Sequence, residues 1–534
     1  MMSEDLVLPT LLARRAADQP DRGFIHEAGG RTVDYAEFAS TALRCASVLR
    51  DHAVRPGDRV LVMLPSSPLA YGLWAALGWV RGIEVAVHAG YRGDMLRYVI
   101  NHSGAEIAVV GTDYLPRWRE VIDQCPNLKT LFVVGDFEPF KTRCSIFQFE
   151  EPVECAEPAR GLDPPMPWDT AAIMYTSGTT GPSKGVVVPW AQLHATSSNN
   201  VSVGLSREDR LYSPFPFAHV SAKAPLYTMM LADGSIVFRE TFSTSAFWED
   251  VRSYGCTVAM LLFSMARFLA NQPENDADRD NPLHTIVMVP SLPDVDKFRK
   301  RFDVEVTTLF NMTEISNPLV TPGGVQDPAS CGRPRRGVDL RIVDEHDCEV
   351  PVGEVGQLIL RTDEPWTMNA GYWDMPAETA AAWRNGWFHT GDGFKRNEAG
   401  DFYFVDRFKD TIRRRGENIS SMELENTIVQ HPDVSECAAV GVPSEFGEEE
   451  VRVFVVPIEG TSVQPADLHE WLLGKLPKFM VPRFIDISTD LPKTSTSKVR
   501  KVALRSLAVA DHTFDAAHDT RRSRGPETLQ ETKR

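Results

Sequence analysis

The sequence lacks any apolar run long enough to span a bilayer. It opens on MMSEDLVLPTLLARRAADQPD, where acids precede the first apolar stretch and the basic n-region of a secretory signal is missing. Both absences lead to the expectation of a cytoplasmic protein with no membrane span. Cysteine is sparse and scattered, at 45, 125, 144, 155, 256, 331, 348 and 437. No pair has metal-ligand spacing and no short framework forms, so reduced thiols are expected. Positive charge is in deficit: 56 Lys and Arg stand against 73 Asp and Glu, a formal net charge of −17. That excludes a general affinity for nucleic acid and favours solubility. If such a protein handles anionic nucleotides, it must focus positive charge locally. Internal repeats are absent too. What remains is an ordinary globular composition, 43% hydrophobic and 24% charged, in a chain of 534 residues that exceeds one core and calls for at least two domains.

The stretch YTSGTTGPSKGVVVP, Tyr175–Pro189, sets small hydroxyls, glycines and one lysine between apolar segments. Glycines let backbone N–H groups turn toward an anion, hydroxyls add donors, and lysine adds charge, so a phosphate is the natural ligand. The P-loop pattern G-x-x-x-x-G-K-[ST] fails here, because Ser183 precedes Lys184 and Gly185 follows it. If the loop holds phosphate, it does so in another architecture; alone, it would also serve as a surface turn.

Apolar runs alternate with amphipathic ones along most of the chain. RVLVML (59–64), EIAVVG (106–111) and TLFVVG (130–135) have the pattern of buried strands, and PLAYGLWAALGWV (68–80) has helical spacing. The alternation continues from GSIVF (234–238) through VTTLF (306–310), read as single strands, and it predicts an α/β architecture with parallel sheet. After about residue 330 the texture changes. GVDLRIVD, VGQLILR and GDFYFVDR predict short antiparallel strands. Past Arg407 a compact α+β unit is expected: helix SSMELENTIVQHP, strands ECAAVGVP and VRVFVVP, and helix PADLHEWLLGKL. The closing stretch DHTFDAAHDTRRSRGPETLQETKR is polar and without apolar periodicity, and is expected to be disordered.

With these motifs together the chain resembles the adenylate-forming superfamily of acyl-CoA synthetases, peptide-synthetase adenylation domains and luciferases, over roughly residues 8–507. AGYRGDMLRYVINHSGAE and RRRGENISSMELENTIVQHPDVSECAAVGVPSEFGEEE are most similar to medium-chain and carnitine-type CoA ligases. The resemblance implies a large N-terminal domain of α/β subdomains with a small β-barrel-like part (1–406), a hinge (407–411), a small mobile α+β C-terminal domain (412–510) and a disordered tail (511–534). It implies ATP, Mg²⁺ and CoA as partners and a small-molecule acid as substrate, with oligomeric state open and a homodimer among the choices.

Residue by residue, the resemblance assigns Thr176, Ser177, Gly178, Thr179, Thr180, Gly181 and Lys184 to the β- and γ-phosphates. In FNMTE, Thr313 would reach the α-phosphate region and Glu314 would bind Mg²⁺, while Asn311 replaces the family's usual glycine and would sit near the adenylate or the acid pocket. In WFHTGD, Asp392 would accept both ribose hydroxyls. Arg407 would reach ribose or phosphate, and Lys409 would be the hinge. Gly416 would let pantetheine pass close to the backbone, and Arg413–Arg415 would either help to hold CoA phosphates or form a solvated basic face. In LPKTSTSKVRK, Lys498 would bridge the attacking carboxylate and the α-phosphate, with Ser497 where the family usually has glycine. FPFAHVSA carries His219, placed by resemblance beside the acyl pocket, in a catalytic or a packing role. VMVPSLPDVDKF (287–298) lacks the family's Gly-Gly-Ala-Pro turn and predicts an unusual acid pocket.

The implied activity is ATP-dependent acid:CoA ligation through acyl-AMP. The same resemblance leaves room for another acceptor or acid: a carrier protein, an amine, or nitrite activated to diazotise an aryl amine. A non-catalytic relative is disfavoured by the joint retention of Lys184, Glu314, Asp392, Arg407 and Lys498.

Overall fold

From Gly23 to Thr307, strands rich in Val, Ile and Leu alternate with helices and build two sheets. The computed structural model describes residues 7–176, 183–201, 204–321, 323–407, 410–414, 417–444, 449–494, 498–510 and 512–518, with backbone alone at 199–201, 417 and 418. Among these, each of the two sheets has seven strands. In one the order is Ser145–Gln148, Thr130–Val134, Ile107–Gly111, Arg59–Met63, Ile83–Ala86, Thr170–Thr176 and Lys184–Pro189. Every neighbouring pair is parallel except the last, which is antiparallel. The other sheet runs from Glu305–Thr307 through Thr285–Val289, Val258–Leu262, Arg210–Ser213 and Ser235–Phe238 to Gly23–Glu27 and Thr32–Asp34. Ile83–Ala86 and Ser235–Phe238 are buried at every position, as parallel strands covered on both faces must be.

The helix Pro68–Trp79 shows how the sequence fills the space between the sheets. Ser67 caps it by accepting from the Ala70 N–H at 3.1 Å, and Pro68 occupies the first turn. Pro68 and Ala70–Gly78 are all buried, which explains why the segment is apolar on every side rather than on one stripe. Trp74 stacks on Trp190 at 5.8 Å. Into this core comes one ion pair, Lys223 Nζ to Glu84 Oε1 at 3.1 Å, with both side chains fully buried. Lys223 also donates to the Phe217 carbonyl at 2.6 Å and lies 3.8 Å from the Phe217 ring centre. Burial pushes the Glu84 carboxyl up and the Lys223 ammonium down, each opposed by the other's charge.

VTTLF does not form one strand. Glu305–Thr307 closes the parallel sheet, and Leu309–Met312 pairs antiparallel with Ser316–Val320 in a different sheet. Thr308 is the pivot: its hydroxyl donates to the Met288 carbonyl at 2.6 Å and its N–H to the Thr321 hydroxyl at 2.9 Å. The run Val306–Phe310 is all β-branched, aliphatic or aromatic, with no Gly or Pro at the break, so the pattern could not register the change of sheet.

The antiparallel strands are as expected at Val338–Val343, Gly356–Thr362 and Phe402–Arg407, joined by Trp387–Arg396 and the short Trp383–Arg384 in one five-stranded sheet. Beyond Arg407, helix Ser421–Ile428 and strands Val434–Pro443 and Glu449–Pro457 appear where predicted, followed by helix Pro465–Leu473 and strand Phe484–Ile487. Asp406, at the end of the five-stranded sheet, accepts from the Ser421 N–H at 2.6 Å and its hydroxyl at 2.7 Å, placing a carboxylate at that helix N-terminus.

Part of the stretch expected to be disordered is instead structured. Phe514–Asp515 adds a strand to Phe484–Ile487, and Arg483 pairs with Asp515 at 3.0 Å. The edge strand and its ion pair supply partners that two residues in a polar stretch do not reveal. No helix among the described residues is long and apolar enough to cross a membrane.

Candidate active site

Thr176 and Lys184 face each other at the end of the antiparallel pair formed by Thr170–Thr176 and Lys184–Pro189. The strands on either side of the glycine- and hydroxyl-rich stretch are therefore antiparallel neighbours. A P-loop joins a strand to a helix instead, so the failed pattern match has a structural counterpart. Ser177, Gly178, Thr179, Thr180 and Gly181 lie outside the described residues, as do Lys409, Gly416 and Ser497.

Glu314 follows the strand Leu309–Met312 and is buried. The Asn369 backbone N–H and side-chain amide both donate to its carbonyl, at 3.0 and 2.8 Å. The Tyr372 hydroxyl donates to its Oε1 at 3.2 Å. Burial raises the Glu314 carboxyl; its own backbone, Tyr372, Arg407 and Lys184 oppose that. The preceding Thr313 is tethered through its carbonyl, which accepts from Gln192 Nε2 at 2.7 Å. Asn311 turns its amide to Asn317, which in turn donates to the Thr196 carbonyl at 3.1 Å. In this arrangement one N–H of the Asn311 amide is given to the scaffold.

Asp392 lies within the strand Trp387–Arg396, opposite Arg407 on Phe402–Arg407. It is 2% exposed, and its Oδ1 stands 3.3 Å from Arg407 Nε. Burial pushes its carboxyl up to about 6; Arg407 and Lys498 pull it down and Glu314 pushes it further up. Lys498 stands on a loop closed by the Lys493–Val499 bridge and by the Lys498 N–H, which donates to the Thr494 hydroxyl at 3.1 Å. Its ammonium is held below the usual range by surrounding protein and by Arg407, against the pull of Asp392 and Glu314. The residue nevertheless keeps an exposed surface, as a side chain does in an open cleft. The structure thus brings Lys498, Arg407, Asp392 and Glu314 into one electrostatic cluster although the first and last of them in sequence stand at 314 and 498.

His219 stands just before helix Val220–Leu231, its ring 4.8 Å from that of His88. Its Nε2 is buried without a hydrogen-bond partner among the described residues. Burial first, then His88, Lys223 and Lys498, drive its pKa down to about 3. So weak a base is neutral at physiological pH and fits hydrogen bonding rather than proton abstraction. Of the arginines expected near CoA phosphates, Arg414 is taken: it is buried, pairs with Glu450 at 2.6 Å and donates to the Phe479 and Val481 carbonyls, both at 2.8 Å. Arg413 is exposed, and Arg415 lies outside the described residues.

Tyr372, Asn369, Gln192 and His88 belong to none of the motifs. Each touches a residue that the motifs do name, and only the fold brings them together.

A family model for the AMP-binding enzyme matches residues 12–373, and one for the AMP-binding enzyme C-terminal domain matches 423–498. The chain belongs to the AMP-binding enzyme family. It is 30% identical over 487 residues to a crotonobetaine/carnitine–CoA ligase of Salmonella agona (strain SL483), covering 89% of this chain and 93% of that protein. The structure of ATP-bound MatB from Rhodopseudomonas palustris is similar at a TM-score of 0.81 and 25% identity, covering 93% of this chain and 98% of MatB. The anthranilate CoA ligase AuaEII, solved with anthranoyl-AMP, has the same fold at a TM-score of 0.84 and 21% identity, over 95% of this chain and 98% of AuaEII. The expected superfamily and the α/β architecture both hold for this AMP-binding enzyme.

Proposed function

We propose that the chain is an ATP-dependent acid:CoA ligase. A carboxylate oxygen of the acid attacks the α-phosphorus of ATP, the bond to the bridging oxygen breaks, and pyrophosphate leaves. The CoA sulfur then attacks the carbonyl carbon of the acyl-AMP, AMP departs, and the thiol proton passes to solvent. Two displacements replace one difficult condensation. Family membership and full-length similarity to a CoA ligase support the class. The observation that carries the chemistry is the convergence of Lys498, Arg407 and Lys184 on the buried carboxylates Asp392 and Glu314, three cations against two carboxylates in an otherwise acidic protein.

The roles follow from the groups present. Lys184 and the hydroxyls and glycines from Thr176 to Gly181 hold the β- and γ-phosphates. Thr313 sits at the α-phosphate, Asp392 accepts the ribose hydroxyls, and Arg407 orients Asp392 and the nucleotide. Lys498 stabilises the charge that develops as the acid attacks. Glu314 is the residue to hold Mg²⁺. Among the described residues no group of three or more metal-ligating side chains forms. One buried carboxylate beside bound phosphates suits Mg²⁺, which keeps waters and is bound through few protein oxygens. The charge neutralisation that Mg²⁺ supplies when bound falls on the leaving pyrophosphate. Lys409 as hinge, Gly416 beside the CoA path, the division at 406 and 412, and a cytoplasmic setting for the eight free thiols belong to the same proposal. His219 acts by hydrogen bonding beside the acyl group.

The test is pyrophosphate release with ATP and Mg²⁺ across short, medium, aryl and amino-aryl acids and nitrite, each with and without CoA, followed by mass spectrometry. Release that needs an organic acid, with a thioester once CoA is added, is expected. Release with nitrite alone, or no thioester from any acid, would contradict the proposal.

A further inference from the structure

The segment Asn369–Trp373 ties together two parts of the site that the sequence separates. Its backbone runs antiparallel to the strand that carries Lys184: the Trp373 N–H donates to the Gly185 carbonyl at 2.7 Å, Val187 N–H to Gly371 at 3.0 Å, and Ala370 N–H to Val187 at 2.9 Å. Gly185 leaves room in this crowded spot, where a Cβ would lie 2.8 Å from Ile173 Cγ2 on the neighbouring strand and touch Trp373 Cβ at 3.4 Å. From the other end of the segment, Asn369 holds the Glu314 carbonyl through both its backbone and its side chain. Asn369 is itself fixed by donations from the Gly371 N–H at 2.9 Å and Trp383 Nε1 at 3.1 Å. Between these anchors stands Tyr372. Its hydroxyl donates to Glu314 Oε1 at 3.2 Å, and its ring carries the Lys184 ammonium 4.7 Å from its centre.

We propose that Tyr372 is a positioning residue that sets the Glu314 carboxylate in register with the lysine at the base of the phosphate loop, so that metal and triphosphate are bound as one unit. One hydroxyl on one carboxylate oxygen fixes that oxygen and aims the other. The ring face supplies a resting place for Lys184. The backbone ladder makes the two settings rigid with respect to each other. The inference rests on the nucleotide-binding reading above.

The experiment is equilibrium binding of α,β-methylene-ATP, with excess Mg²⁺ and separately with EDTA, by calorimetry. It compares the parent, Tyr372→Phe, Glu314→Gln and the double variant. Phenylalanine keeps the ring and deletes one oxygen, so melting temperature serves as the control for the fold. Tyr372→Phe is expected to weaken binding about tenfold with Mg²⁺, the size of a hydrogen bond to an ionised group, and to change it less than about twofold in EDTA. In the Glu314→Gln background the same substitution should have little further effect, as coupled residues show in a double-mutant cycle. Unchanged binding in Mg²⁺, an equal loss in both conditions, or additive losses would each overturn the inference. A parent chain that fails to bind the analogue fails the nucleotide-binding reading as well. A parent that binds, beside an unaltered Tyr372→Phe, fails only this one.

Discussion

The role proposed for Asp392 sets function against stability in one buried carboxylate. Its carboxyl is raised to about 6, chiefly by burial. A group raised on folding adds stability below its ordinary value and loses that contribution as pH climbs through the folded value. The ionised form therefore opposes folding above about pH 6, and in the proposed role it is the ionised form that would offer paired acceptors to ribose. KM for ATP should rise as pH falls through about 6, and Asp392→Asn should flatten that limb while raising KM about tenfold or more. The same variant, without nucleotide, should melt about 2–4 °C higher near pH 8 and gain nothing near pH 4. A pH-independent KM in the parent would contradict this account. His219 has the opposite character: neutral across the working range, it should leave no titration of its own in the rate profile.

At the scale of elements, the Glu84–Lys223 pair joins a strand of one sheet, Ile83–Ala86, to the helix Val220–Leu231 that starts beside His219. Removing one partner strands a charge in the core. Lys223→Ala should cost about 3–5 kcal/mol in a denaturant melt, whereas Glu84→Gln with Lys223→Met should cost less than either single change. Equal or additive losses would mean that packing, not charge, sets the cost. The same elements show what a sequence carries. Arg59–Met63, Ile107–Gly111 and Pro68–Trp79 were legible because burial on both faces demands continuous apolar runs. The break at Thr308 was not, because hydrogen bonds to Met288 and Thr321 come from elsewhere in the chain. Phe514–Asp515 was hidden for a like reason: its order comes from Phe484–Ile487 and Arg483.

For the molecule as a whole, the site was legible where a motif is contiguous and illegible where the fold assembles it. Lys184, Glu314, Asp392, Arg407 and Lys498 were named from short motifs carried by resemblance. That Asp392 sits mid-strand facing Arg407, or that Arg414 is held by Glu450, follows only from strand register and burial. The loop bearing Lys498 belongs to the unit built on Val434–Pro443, through the Lys493–Glu436 pair at 2.8 Å, while Asp392 and Glu314 belong to the larger part. The proposed site thus draws its groups from both parts of the chain, and a turn of the small part would withdraw Lys498 without disturbing the carboxylates. The most direct test is to measure the two half-reactions of Lys498→Ala separately. Acid-dependent pyrophosphate release should fall at least about a hundredfold, the scale of losing one fixed transition-state charge, while thioester formation from supplied acyl-AMP and CoA stays near the parent rate. Equal loss of both steps would contradict the account of one site serving two chemistries in turn.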